Sequence, residues 1–167
     1  MRFDISEVYD RLYRFCYFRL RNKEVAQDIV QESFVRYIDR YGAVNGKSVP
    51  VLYTIARNLC IDHVRRYSDT PGCDPFFLQD LPVGGDLAEN LIERLSVQRA
   101  LSRMPLSETE ILLLVIVDGL SIQDAGRIVG ISRFAVYRRL QSGKKHLKEE
   151  LMKEGVGELS VRMRGGA

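Results

Sequence analysis

The chain has 167 residues, 46% hydrophobic and 28% charged, with a formal net charge of +3. That composition belongs to a folded chain of one or two small domains and excludes intrinsic disorder. The charge is uneven, at +3 over residues 1–70, −4 over 71–95 and +4 over 96–167, so two basic blocks flank an acidic connector.

The periodic segments read as helix, and none alternates with period two. A first helix is expected over residues 6–20, with Val8, Leu12, Phe15 and Cys16 inward. Asn22 can cap a second, on which Val25, Ile29, Phe34 and Ile38 form a stripe, ending at Tyr41-Gly42. After a polar loop at 43–47, Ser48 is expected to cap a third helix. Pro50 sits in its first turn and Leu52, Ile55, Ala56 and Leu59 on its apolar face. Prolines and glycines at 71, 72, 75, 82, 84 and 85 mark a flexible linker, set at 69–85. Helix resumes near 86 and runs to 103, with Leu91, Leu95 and Leu101 inward, until Met104-Pro105 breaks it. Ser107 and Glu110 form a capping-box pattern for a helix to residue 117, and Ser121 with Asp124 starts another. The glycine-rich stretch 154–167 reads as a disordered tail. The expected fold is all-α. It has two small helical domains, 1–68 and 86–153, joined by the linker.

Residues 121–148 carry the clearest functional pattern. Two short helices meet at Gly130-Ile131-Ser132. Gly130 suits a left-handed helix end, Gly126 allows close packing, and Ser132 caps the second helix. Ala125, Ile128, Val129, Ile131, Val136 and Leu140 supply a shared core. From 125 to 148 there is no acidic residue, against seven basic ones. This is a helix-turn-helix whose second helix is suited to the major groove. Arg133, Phe134 and Tyr137, with Arg138 following, fall where base edges are reached, Arg139 completes the expected DNA-reading set, and Lys144 and Lys145 fall where phosphates are.

Other chemistry is sparse. Cys16, Cys60 and Cys73 are odd in number and widely spaced, so idle thiols are expected, with no metal and no cofactor. His63 and His146 have no adjacent nucleophile or ligand pattern, and no phosphate loop is present, which argues against an enzyme. The longest apolar run, 111–117, is too short to span a bilayer, and the amino end lacks a signal peptide's apolar core. A cytoplasmic location without membrane insertion is expected.

The chain resembles the extracytoplasmic-function group of bacterial RNA polymerase sigma factors. The first block carries Ala26-Gln27-Asp28-Ile29-Val30-Gln31-Glu32-Ser33-Phe34 and, from Leu52-Tyr53-Thr54-Ile55-Ala56-Arg57-Asn58-Leu59, a run ending Asp62-His63-Val64-Arg65-Arg66. The second carries Ala100-Leu101, Met104-Pro105, Glu110, Leu112-Leu113, Gly119-Leu120-Ser121 and Gly130-Ile131-Ser132 through Arg139-Leu140. The resemblance implies a non-catalytic, dissociable subunit that binds core RNA polymerase and directs it to promoter DNA. It implies polymerase contacts at Asp28, Gln31, Glu32 and Phe34, though Phe34 also fits the buried stripe. It implies −10 melting by loop 41–47 with Tyr53, Arg57, Asn58, His63, Arg65 and Arg66. Here Tyr53 equally fits the core and His63 an ordinary surface position. The −35 duplex falls to the helix-turn-helix. Linker residues Phe76, Phe77 and Asp80 would pass through the polymerase, and an anti-sigma factor is an implied partner.

This chain departs from the family at Phe134, where relatives carry a small residue, and at Tyr137 and Ser142, where they carry basic ones. Gly143 is expected to weaken the last helix by about 1 kcal/mol relative to alanine. Two rivals remain open. One is a helix-turn-helix regulator acting without polymerase, which would bind a palindrome as a dimer; the other is a protein-interaction module.

Overall fold

The computed structural model describes residues 3–67 and 90–154. The expected linker 69–85 with Phe76, Phe77 and Asp80, Cys73, residues 86–89 and the tail beyond 154 lie outside the described residues. Every regular element among the described residues is helical, and they fall into two compact units.

The first unit holds three helices that pack pairwise: α1 (Ile5–Leu20), α2 (Lys23–Tyr41) and α3 (Val49–Tyr67). Asp4, one residue before α1, caps it by accepting the Ser6 amide at 2.9 Å. Arg21 ends it in the left-handed region, φ 53°, with its amide donating to the Tyr17 carbonyl. Asn22 then caps α2, as expected, by accepting the Val25 amide at 3.1 Å.

The inward face of α2 differs from the expected stripe. Ala26, Ile29, Val30, Ser33 and Tyr37 are buried, whereas Ile38 is half exposed and Phe34 only partly covered. An apolar-only reading missed this face because two of its five members carry hydroxyls, and both are satisfied. Ser33 Oγ donates to the Ile29 carbonyl at 2.6 Å, and Ser48 Oγ donates to Tyr37 Oη at 2.6 Å.

The start of α3 also needs correction. Asn45, rather than Ser48, is the capping residue. It opens a 3₁₀ turn, Gly46–Ser48, in which Asn45 accepts the Lys47 amide and Ser48 Oγ accepts the Asn45 amide, each at 2.9 Å. The turn runs directly into α3. There the buried residues are Leu52, Tyr53, Ala56 and Cys60, with Ile55 and Leu59 half-buried. Cys16 and Cys60 are both fully buried. The hydrogen bond shared with Cys60, then burial, pushes the Cys16 thiol well up from its ordinary value. That makes it a poor nucleophile.

The second unit is built around α4 (Asn90–Arg103), α5 (Leu106–Leu112) and α7 (Arg133–Lys153), with α7 packed on both others. Between α5 and α7 lie a wide π-helical turn, Leu113–Val117, and α6 (Ile122–Val129). The capping box expected at Ser107 does not form. Pro105 precedes α5 with no side-chain cap, Ser107 is exposed and Glu110 is buried. Thr109 instead ties α5 to α4, its hydroxyl donating to the Leu101 carbonyl at 3.1 Å. The π turn closes through the Asp118 amide on the Leu113 carbonyl, and Gly119 follows at φ 70°.

Candidate nucleic-acid interface

The α6–α7 turn is built as its sequence demands. Ser121 Oγ accepts the Asp124 amide at 3.0 Å and so starts α6. Gly130 ends the turn at φ +79°, a conformation L side chains resist. The Ile131 amide reaches back to the Gly126 carbonyl at 3.0 Å. At Gly126 an added Cβ would lie 2.9 Å from the Ile131 carbonyl oxygen and 3.4 Å from Val136 Cγ2, so only glycine lets the two helices approach this closely. Ser132 Oγ accepts the Ala135 amide at 3.1 Å and starts α7.

Burial on α7 runs through Val136, Leu140, Gly143, Leu147 and Leu151. The opposite face therefore points to solvent. It presents Phe134, Tyr137, Arg138, Lys145 and Lys148, all exposed, and Arg133 is exposed as the first residue of the helix. Arg139 and Lys144 are half-buried on the two flanks. Arg139 lies three and seven residues before Ser142 and His146, on the side of α7 that meets α5. Among the described residues none of these cations is held in an ion pair with a carboxylate, so their charge is available to an anion.

The contact between α5 and α7 gives Ser142 and Gly143 structural roles. Glu108 of α5 is nearly buried and accepts the Ser142 hydroxyl at 2.6 Å, while its second oxygen meets His146 Nδ1 at 2.5 Å. Burial alone would raise the Glu108 carboxyl. The bond from Ser142 and the bond and charge of His146 outweigh it and hold the group below its ordinary value. Ser142 thus braces the domain rather than facing a ligand. Gly143 also has a packing role: an added Cβ would lie 3.2 Å from Leu112 Cγ. The expected propensity cost of this glycine is thus set against a packing constraint.

In the first unit, Asp28, Gln31 and Glu32 stand exposed on α2, with Glu32 accepting Arg36 Nε at 2.7 Å. Phe34 is half-buried, its ring stacked on Tyr9 with centroids 6.1 Å apart. Val35 and Ile38 are 59% and 52% exposed beside Gln31, so Ile38 lies outward rather than in the expected stripe and the two add apolar area to this surface. Their only sequence-level sign is that they fall out of phase with Ala26, Val30 and Tyr37.

On α3, Asn58, Arg65 and Arg66 are exposed, Arg57 and His63 half-buried. Arg65 pairs with Asp62 at 3.0 Å, and His63 leans on the Tyr67 ring at 4.8 Å. Tyr53 must be withdrawn from the surface set. It is fully buried with its ring edge-on to Phe15 at 5.3 Å, so it is a core residue.

Two grooves of about 350 Å³ run between α2 and α3. One sets Asp28 and Glu32 against His63, Arg66 and Tyr67, so the two sets of expected contacts share a single groove. The other sets Arg40 and Tyr41 against Thr54 and Asn58, with the Arg40 guanidinium 5.5 Å from the Tyr41 ring centre. Among the described residues no helix is long and apolar enough to cross a membrane.

Two helical units, the second with an acid-free helix-turn-helix face, are the architecture of a DNA-binding protein. Comparison with known proteins then names the family. Residues 5–70 match sigma-70 region 2 and residues 94–147 match sigma-70 region 4. The ECF RNA polymerase sigma factor SigW of Bacillus subtilis (strain 168) is 31% identical, over 89% of this chain and 87% of that protein. The ECF sigma factor SigE of Mycolicibacterium smegmatis is 29% identical over 86% of this chain, which spans 58% of that protein. The fold is similar to that of the sigma factor RpoE, solved in complex with the anti-sigma factor NepR from Bartonella quintana. The TM-score is 0.66 at 21% identity, over 89% of this chain and 94% of that one. The chain belongs to the ECF group of RNA polymerase sigma factors. It is an alternative sigma factor, which binds core RNA polymerase and promoter DNA and directs the start of transcription. The stand-alone regulator is not favoured, since the region 2 match covers α1, α2 and α3.

Proposed function

We propose that the two units divide this work between named surfaces. Asp28, Gln31 and Glu32, with Val35 and Ile38, dock α2 on the polymerase. A polar rim around exposed apolar side chains suits a stable protein contact. Phe34 supports that surface from beneath, through its stack on Tyr9. Loop 41–47 with Arg57, Asn58, His63, Arg65 and Arg66 engages the −10 strand. Melted bases need a pocket and cationic support, and the groove containing Arg40, Tyr41 and Asn58 offers both. Arg133, Phe134, Tyr137 and Arg138 read the −35 duplex. Arg139, Lys144 and Lys145 hold its phosphates.

The observation that carries this reading is the exposed α7 face, whose cations are free of carboxylate partners among the described residues. The protein acts in the cytoplasm, catalyses nothing itself, and is restrained by an anti-sigma factor, as the NepR complex of its structural relative suggests. The test is promoter binding by reconstituted holoenzyme. Arg133→Ala and Arg138→Ala should each weaken binding to the −35 element by about tenfold, the value of one good arginine–guanine pair, and leave core-polymerase affinity unchanged. Unchanged promoter affinity in both variants would overturn the assignment.

A further inference from the structure

Phe134 is 76% exposed, the most exposed of the large hydrophobic side chains described. It is the second residue of α7, just past the Ser132 cap, at the end of a recognition helix that reaches base edges. The fold gains nothing from it, because Val136, Leu140, Leu147 and Leu151 carry the α7 core. Its exposed neighbours are Arg133, the first residue of the helix, and Tyr137 and Arg138. A partner for this spot must therefore be anionic and yet offer a small apolar group. Duplex DNA meets both demands in one way. Its backbone is a polyanion, and the one apolar group its bases display in the major groove is the 5-methyl of thymine.

We infer that Phe134 reads thymine in the −35 element by packing its ring against the 5-methyl group. The inference rests on the assignment of α7 to the −35 duplex. Arg133 and Arg138, flanking the ring, fix guanine or phosphate on either side. The contact sets sequence preference, because a ring that only leaned on sugar would favour no base.

Deoxyuridine differs from thymidine only by the missing methyl, so it isolates the contact. Holoenzyme reconstituted with the full chain is titrated against promoter duplexes in which each −35 thymine, on either strand, is replaced singly by deoxyuridine. Burial of one methyl corresponds to about fourfold in affinity. One or two positions should weaken by that factor in the wild-type protein. In Phe134→Ala those positions should bind thymine and uracil equally, while every other position behaves as before. The inference is overturned if no position responds, if the −35 element holds no thymine, or if Phe134→Ala keeps the thymine preference. It is also overturned if Phe134→Ala weakens binding to core polymerase without DNA, which would make the ring a protein contact. Indifference of the wild-type holoenzyme to a scrambled −35 element would remove the α7 assignment itself, and this contact with it.

Discussion

Glu108 is the residue whose chemistry most directly joins sequence to stability. It braces α5 against α7 by accepting from Ser142 and facing His146. Its folded carboxyl lies below the ordinary value of 4.5, so the unfolded chain takes up the proton more readily. Its stabilising contribution is therefore complete above that ordinary value and lost as pH falls below it. Glu108→Gln should lower stability near pH 7 by about 1–3 kcal/mol. It should also flatten the acid loss of stability, as read from thermal unfolding at pH 6.5 and 3.5; equal pH dependence in both proteins would remove Glu108 from this role. Gly143 makes a second residue-scale case. Alanine there gains about 1 kcal/mol of helix propensity, but its Cβ presses on the buried Leu112, and overpacking costs about 1–3 kcal/mol. Gly143→Ala should leave the unfolding temperature unchanged or lower it. A clear rise would show that Leu112 can give way.

At the scale of elements, the turn between α6 and α7 was legible, although Val129 and Ile131 of its expected core are only half-buried. Gly126, Gly130 and Ser132 each stand at a position only one kind of residue serves, and local backbone geometry decides such positions. Gly126→Ala should destabilise the second unit more than Gly130→Ala, because carbonyl contact at 2.9 Å adds to packing strain at Gly126. The left-handed conformation at Gly130 costs about 1–2 kcal/mol alone. Chemical denaturation of the two variants checks the order. The buried face of α2 was legible only at Ile29, because Ser33 and Tyr37 enter the core through hydrogen bonds to the preceding turn of α2 and to Ser48 in the 3₁₀ turn. Tyr53 was ambiguous for the same reason: a tyrosine fits core and surface alike, and its neighbour Phe15 lies 38 positions away. Asn45 was passed over because a 3₁₀ turn separates it from α3. Ser48→Ala removes the acceptor for the Asn45 amide and the donor to Tyr37 together, and should cost about 1–2 kcal/mol.

For the whole molecule, charge placement matters more than the small net charge. Cations concentrated on one face of α7 release counterions when they meet phosphate, so promoter affinity should fall steeply with salt. Lys145→Ala should reduce that slope by about one unit in a log–log plot and leave the preferred promoter unchanged. The central claim is that α2 grips the polymerase while the exposed face of α7 selects the −35 element. Run-off transcription with reconstituted core enzyme tests it most directly. The wild-type chain should start RNA from a defined promoter. The Arg133→Glu/Arg138→Glu double variant should bind core enzyme with unchanged affinity and yet give no start at that promoter. A double variant that transcribes as well as wild type, or a wild-type chain that starts no transcript on any promoter, would contradict the account.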